Sequence, residues 1–124
     1  MDNEKREITE ALRDYYLEGH VKADPKLYEQ ILHPEWRMFL MQDGKLVIVE
    51  RSEYLSFYDP EKADPEEKWE MEILSMDVAG QFASVKLRLE SQKVRYIDYF
   101  NMMKLDGQWW IMHKMSQNEK ETPN

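Results

Sequence analysis

The sequence predicts an α+β domain in which N-terminal helices are wrapped by a curved antiparallel sheet of about six strands. Three observations carry that expectation. Residues 3–33 place apolar side chains at helical spacing. Four long β-rich runs follow one another from about Trp69 onward. Two Asp-Gly pairs, Asp43-Gly44 and Asp106-Gly107, separate β-rich runs and suit the positive φ angles of two-residue hairpin turns. A length of 124 residues fits one domain with one core. That domain is expected to span residues 1–117, with a polar tail at 118–124.

Taken in order, "NEKREITEALRDYYLEGHV" is a helix. Ile8, Leu12 and Tyr15 form its apolar stripe, with Ala11, Tyr16 and Gly19 beside them. Asp2 or Asn3 can cap it. "ADPKLYEQILHP" is a second helix, capped by Asp24 with Pro25 at its first position, where a missing N–H costs nothing. Leu27 and Ile31 face inward. His33-Pro34 stops this helix, because the residue before a proline is pushed out of the α region. "WRMFLMQDGKLVIVE" is a hairpin, and "RSEYLSFYD" is a short helix capped by Ser52. "PEKADPEEK" is a charged loop, the segment expected to move most inside the domain. Strands then cover about Trp69–Val78, Phe82–Ser91, Val94–Leu105 and Gln108–Ser116. The first of these changes phase near Leu74 or Ser75, which calls for a bulge.

Register assigns the faces, since a slip of one residue inverts every side chain. With Asp106-Gly107 at the centre of a turn, Met102 opposes Ile111, Phe100 opposes His113 and Asp98 opposes Met115. A turn centred on Ser91-Gln92 adds Leu87 by Tyr96 and Val85 by Asp98. One face then reads Ala83, Val85, Leu87, Leu89, Tyr96, Asp98, Phe100, Met102, Trp109, Ile111 and His113. It is apolar, with one carboxylate and one imidazole set into it, and the helices should cover it. Lys114 falls on the other face. That face is polar except for a patch at Ile97, Tyr99, Met103, Trp110 and Met112. Monomers seldom leave large apolar patches in water. A homodimer through Tyr99, Met103, Trp110 and Met112 is therefore expected.

Composition excludes several function classes. A formal net charge of −8 disfavours nucleic acid and anionic membrane surfaces, both of which need a basic face. With no cysteine, disulfides and thiolate chemistry are absent. The first residues carry no apolar signal region, and no run approaches the roughly 20 residues of a membrane span. A cytoplasmic location is the simplest expectation. His20, His33 and His113 show no metal-ligand spacing, and the four glycines are isolated rather than grouped in a phosphate loop. Neither a metal nor a cofactor is expected.

Three stretches carry a family resemblance: "YLEGHVKADPKLYEQILHPEW", "SMDVAGQFASVKLRLE" and "YIDYFNMMKLDGQWWIMHKM". From about Ile8 to Met115 the chain resembles the nuclear-transport-factor-2-like superfamily, closest to its lumazine-binding-like or SnoaL-like subgroup. The resemblance implies a cone-shaped, cystatin-like α+β barrel. It also implies a pocket between the concave sheet face and the first helices, and a dimer through the outer sheet face. The superfamily hosts isomerases, dehydratases, cyclases, epoxide hydrolases and non-catalytic binding domains, so fold does not choose among activities.

The candidate site residues follow from the concave face. Burial in apolar surroundings raises a carboxyl pKa and can make it a general base or acid. Asp98 is the leading candidate for that role, and its position resembles the strand acid of the subgroup. Ketosteroid isomerase, a member of the superfamily, uses a pocket Asp as its base. Asp98 could equally accept hydrogen bonds from Tyr15 or Tyr16 and lock helix to sheet. His113, diagonal to Asp98, could form an Asp–His pair for proton transfer or be a satisfied core residue. Tyr15, His33, Trp36, Tyr96, Phe100, Met102 and Trp109 would line the cone and suit a small apolar or aromatic ligand. The sequence thus leaves three readings open. They are a small-molecule-binding module, an isomerase-, dehydratase- or cyclase-type enzyme using Asp98, and a structural or interaction domain whose cone its own side chains fill.

Overall fold

A computed structural model describes residues 3–119. The first helix, α1 (Asn3–Ala11), runs into a π-helical turn (Leu12–Leu17) and then α2 (Glu18–Lys22). The π turn corrects the expected stripe. Its wider turn carries the inward face from Leu12 to Tyr16, so Ile8, Leu12 and Tyr16 are fully buried and Tyr15 is left half-buried at the side. Helix α3 is short (Pro25–Tyr28), and Asp24 caps it by accepting from the Lys26 amide at 2.9 Å. Gly19 is where α2 meets α3: a Cβ there would stand 3.0 Å from the Tyr28 ring.

The second helix therefore ends at Tyr28, not at His33-Pro34. Both residues lie in strand β1 (Leu32–Gln42). The β1 ladder with its inner neighbour is interrupted between Leu32 and Arg37, where a residue without an N–H is tolerated. Strand β2 (Lys45–Glu50) returns through the Asp43-Gly44 turn, with both residues at positive φ as expected. Helix α4 (Arg51–Ser56) starts two residues earlier than a Ser52 cap requires, and no side chain caps it. Arg51 anchors it instead, donating from Nε to the Leu32 carbonyl at 3.0 Å. A 3₁₀ turn (Pro60–Lys62) opens the charged loop. That loop is tied to the turn at residues 91–92: Ser91 donates to Glu67 at 2.6 Å, and Gln92 Nε2 donates to the Glu66 carbonyl at 2.6 Å.

Strands β3 (Glu70–Ala79), β4 (Phe82–Glu90), β5 (Arg95–Leu105) and β6 (Gln108–Asn118) complete one six-stranded sheet in the order β2-β1-β6-β5-β4-β3. It is a mixed sheet, because β1 and β6 run parallel while every other pair is antiparallel. The parallel β1–β6 pair departs from the wholly antiparallel sheet expected. The bulge in β3 falls at Leu74 as expected. The β4–β5 pairing is two residues off the expected register, with Leu87 opposite Asp98 and Val85 opposite Phe100. A shift of two preserves the faces. Ala83, Val85, Leu87, Leu89, Asp98, Phe100, Met102, Trp109 and Ile111 all lie buried beneath the helices.

Lys104 pins α1 to the sheet through Glu4 at 3.0 Å and Glu7 at 3.3 Å. Of the expected polar tail, Asn118 closes β6 opposite Tyr96, and Glu119 donates its amide to the Arg95 carbonyl. The rest of that tail, and the possible Asp2 cap, lie outside the described residues. Among the described residues, no helix is long and apolar enough to cross a membrane.

Candidate functional site

The site is decided by a second bulge, in β6. From the Asp106-Gly107 turn the β5–β6 register runs as expected to Met102 opposite Ile111. Met112 is then an extra residue, and pairing resumes with Asn101 opposite His113 and Phe100 opposite Lys114. The bulge corrects two expectations. His113 sits exposed on the outer face, its ring against Phe39, away from Asp98. Lys114, expected outside, is buried on the concave face at 4% exposure.

On that face lies a cavity of about 340 Å³. Strands β1 and β6 contribute Met38, Leu40, Lys114 and Ser116; α4 and its exit contribute Tyr54, Phe57 and Tyr58; His20, Trp69 and Tyr96 complete the wall. A depression of about 440 Å³ on the outer face, beside Met103 and His113, is larger but more open and holds no buried charge.

The inner end of the concave cavity is polar. Lys114 Nζ donates to the Tyr54 hydroxyl at 3.2 Å, and Tyr58 donates to the same hydroxyl at 2.9 Å. The amine lies over the faces of the Tyr16 and Tyr54 rings, with centroids 5.1 and 4.9 Å away. Asp98 Oδ2 stands 4.0 Å from Nζ and accepts a 2.6 Å hydrogen bond from Tyr16. Asp98 Oδ1 is buried without a hydrogen-bond partner, and so is Trp36 Nε1. Burial pulls the Lys114 pKa below its ordinary value, and the Asp98 carboxylate opposes that pull. Burial likewise pushes the phenols of Tyr16 and Tyr54 well up and that of Tyr58 to about 12. All three tyrosines thus keep their protons at ordinary pH. His20 contacts the Tyr28 hydroxyl through Nδ1 and is ringed by Tyr16, Tyr28, Tyr58 and Trp69. Burial, aided by the Lys114 charge, depresses its pKa to about 3, so the imidazole is neutral at pH 7.

Of the residues expected to line the cone, Tyr96 alone borders this cavity. Phe100, Met102 and Trp109 are packed into the core, and Trp109 Nε1 donates to Glu4 at 3.2 Å. Trp36 is buried against Tyr54, with ring centroids 4.8 Å apart. Tyr15 borders a separate groove beside Gln108. His33 accepts the Glu35 amide and meets Trp110 on the outer face. Asp98 lies behind Lys114 and touches Tyr16, one of the two tyrosines foreseen for it. Sequence reasoning missed Lys114 and His20. Alternation could not reveal the first, because Met112 and Met115 are apolar on either side of the phase change. The second could be found from "EGHV", once Gly19 is read as a seat for a ring.

The family model described as "Putative lumazine-binding" matches residues 3–117. The chain belongs to this family. Solved structures of the same fold include an NTF2-like protein of unknown function from Shewanella baltica OS155, 24% identical with a TM-score of 0.82. That match covers 98% of this chain and 96% of the other. Another, from Silicibacter pomeroyi DSS-3, is 19% identical with a TM-score of 0.82, covering 96% of this chain and all of that one. A curated relative, Aldolase FrzH from Cladobotryum sp, is 22% identical over 100 residues, 81% of this chain and 80% of that protein. The membership establishes the lumazine-binding-like cone expected from the three sequence stretches.

Proposed function

We propose that this protein binds a small, largely apolar or aromatic molecule in the concave cavity, with one oxygen acceptor of the ligand turned toward Lys114. The observation that carries the reading is a buried amine at the end of an aromatic-walled cavity of about 340 Å³. Binding sites of this kind are mostly apolar, with a few convergent polar groups that orient the ligand. The family description supports a ligand-binding role. The name of the relative called an aldolase favours a carbonyl group on the ligand and, as a second reading, acid–base chemistry on it. In that reading Lys114, Tyr54 and Tyr58 act on the carbonyl, and Asp98 with Tyr16 holds Lys114 in place.

Native mass spectrometry of the purified protein tests the reading for a co-purified molecule, followed by a thermal-shift screen of aromatic ketones, aldehydes and carboxylates. A ligand at about a hundred times its Kd adds about 2.7 kcal/mol of stability. Trp69→Ala and Tyr96→Ala should each weaken the response. No co-purified mass and no shift with any compound would reject it.

Assembly follows from the outer face. Phe82, Tyr99 and Met115 are exposed there, with Met103, Trp110 and Met112 half-buried beside them. We propose that a second copy covers this patch. Sedimentation at micromolar concentration should give a dimer; a monomer overturns the pairing.

A further inference from the structure

We propose that Lys114 is a covalent anchor, its amine condensing with the carbonyl carbon of an aldehyde or ketone whose apolar body fills the aromatic cavity. The inference rests on the ligand reading above and adds a bond to it. Lys114 Nζ stands at the inner end of the cavity, with its side chain 5% exposed. Surface lysines at neutral pH are ammonium ions and poor nucleophiles. A lysine desolvated in an apolar pocket is the usual way to keep an amine neutral and reactive.

Charged and titratable groups face it from β5 and from the helices. Asp98 from β5, 4.0 Å away, favours the ammonium form, and so do the faces of Tyr16 and Tyr54. His20 from α2 is neutral, so it adds no positive charge beside the amine. Ser116, two residues along β6, is uncharged. Burial outweighs the Asp98 attraction. Each unit by which the amine falls multiplies its neutral fraction about tenfold at pH 7.

The surroundings also suit the bond-making steps. The amine lone pair forms a C–N bond to the carbonyl carbon, and the C=O π pair moves to oxygen, which takes a proton. The carbinolamine then loses that oxygen as water together with the nitrogen's proton, leaving a C=N bond. One amine and one carbonyl give one imine and one water, with nothing oxidised or reduced. The Tyr54 hydroxyl accepts from both Lys114 and Tyr58, so its own proton is committed to neither of them. It can give that proton to the oxygen of a carbonyl placed at Nζ. The Asp98 carboxylate, 4.0 Å from Nζ, offsets the positive charge that develops on nitrogen.

The test uses the full chain, benzaldehyde as probe and cyanoborohydride to fix any imine at pH 7. Intact mass should show one added benzyl group. Peptide mapping should place it on Lys114 at about ten times or more the level of any other lysine. Tyr54→Phe should slow the trapping while leaving the labelled position unchanged. Lys114→Met should remove the selective label; should that variant not fold, the wild-type peptide map still decides. Label spread evenly over surface lysines overturns the anchor. Benzyl alcohol, with the same ring and no carbonyl, is measured in parallel by thermal shift. If the alcohol binds and the aldehyde is not trapped at Lys114, the covalent step fails and the ligand reading stands. If neither engages the cavity, both fail.

Discussion

Replacing Tyr16 by Phe isolates the hydrogen bond that holds the buried carboxylate. Tyr16 is fully buried and donates to Asp98 Oδ2 at 2.6 Å. Oδ1 has no hydrogen-bond partner among the described residues, and the Lys114 amine stands 4.0 Å from Oδ2. The substitution keeps the ring that packs on Phe100 and removes one oxygen. A hydrogen bond to a charged group contributes about 1.5–3 kcal/mol, and a buried group left unsatisfied costs at the upper end of such ranges. We expect Tyr16→Phe to lose about 2–3 kcal/mol. At about 2.1 cal/mol/K per residue, 124 residues give about 0.26 kcal/mol/K, so the melting temperature should fall by about 8–12 °C. Urea denaturation of the wild type, Tyr16→Phe, Asp98→Asn and the double variant gives the coupling directly, expected at about 1 kcal/mol or more. A Tyr16→Phe variant within about 0.5 kcal/mol of wild type would refute the claim that this bond secures Asp98.

Three further predictions concern the helical layer and the charged loop. His20 has a folded pKa of about 3, below the 6.5 of the free group, so the unfolded chain takes up a proton that the folded chain refuses. Stability should therefore fall as pH drops from 6.5 toward 3, by about 2 kcal/mol at pH 5. His20→Gln should flatten that part of a stability–pH profile, and an unchanged profile would count against a buried neutral imidazole. Below about 4.5, protonation of Glu4 and Asp64, whose carboxyls are held low by Lys104 and by the Glu66 amide respectively, removes stability in the same direction. Gly19→Ala sets a methyl 3.0 Å from the Tyr28 ring and should cost about 1–3 kcal/mol by urea titration, with the helix content unchanged by circular dichroism.

The fold was legible because its signals are local and redundant. Two Asp-Gly turns, the Asp24-Pro25 helix start and the alternation in β4 and β5 all point to the same sheet, and each holds. The phase break at Leu74 could be read because polar and apolar residues exchange places there. The site was less legible because it depends on two irregularities that leave no such mark. The π turn at Leu12–Leu17 exchanges Tyr15 for Tyr16, and both are tyrosines. The bulge at Met112 exchanges His113 for Lys114 between two methionines that suit either face. In both places tertiary packing chose between side chains that local preference could not separate.

Because a single bulged residue in β6 decides what turns inward beside Asp98, the chemistry of this cavity depends on where along the strand that bulge falls. Sliding residues 113–118 by one position against β5 would exchange an amine for an imidazole without altering a side chain. Deleting Met112 would iron the strand flat, with Lys114 still opposite Phe100 and His113 still outside. Chains of this fold that differ by one residue here are therefore misaligned by a column-by-column comparison, which would equate an interior group with a surface one. Moving the bulge along β6 offers such a scaffold a route between an amine-lined and an imidazole-lined interior that leaves its composition unchanged.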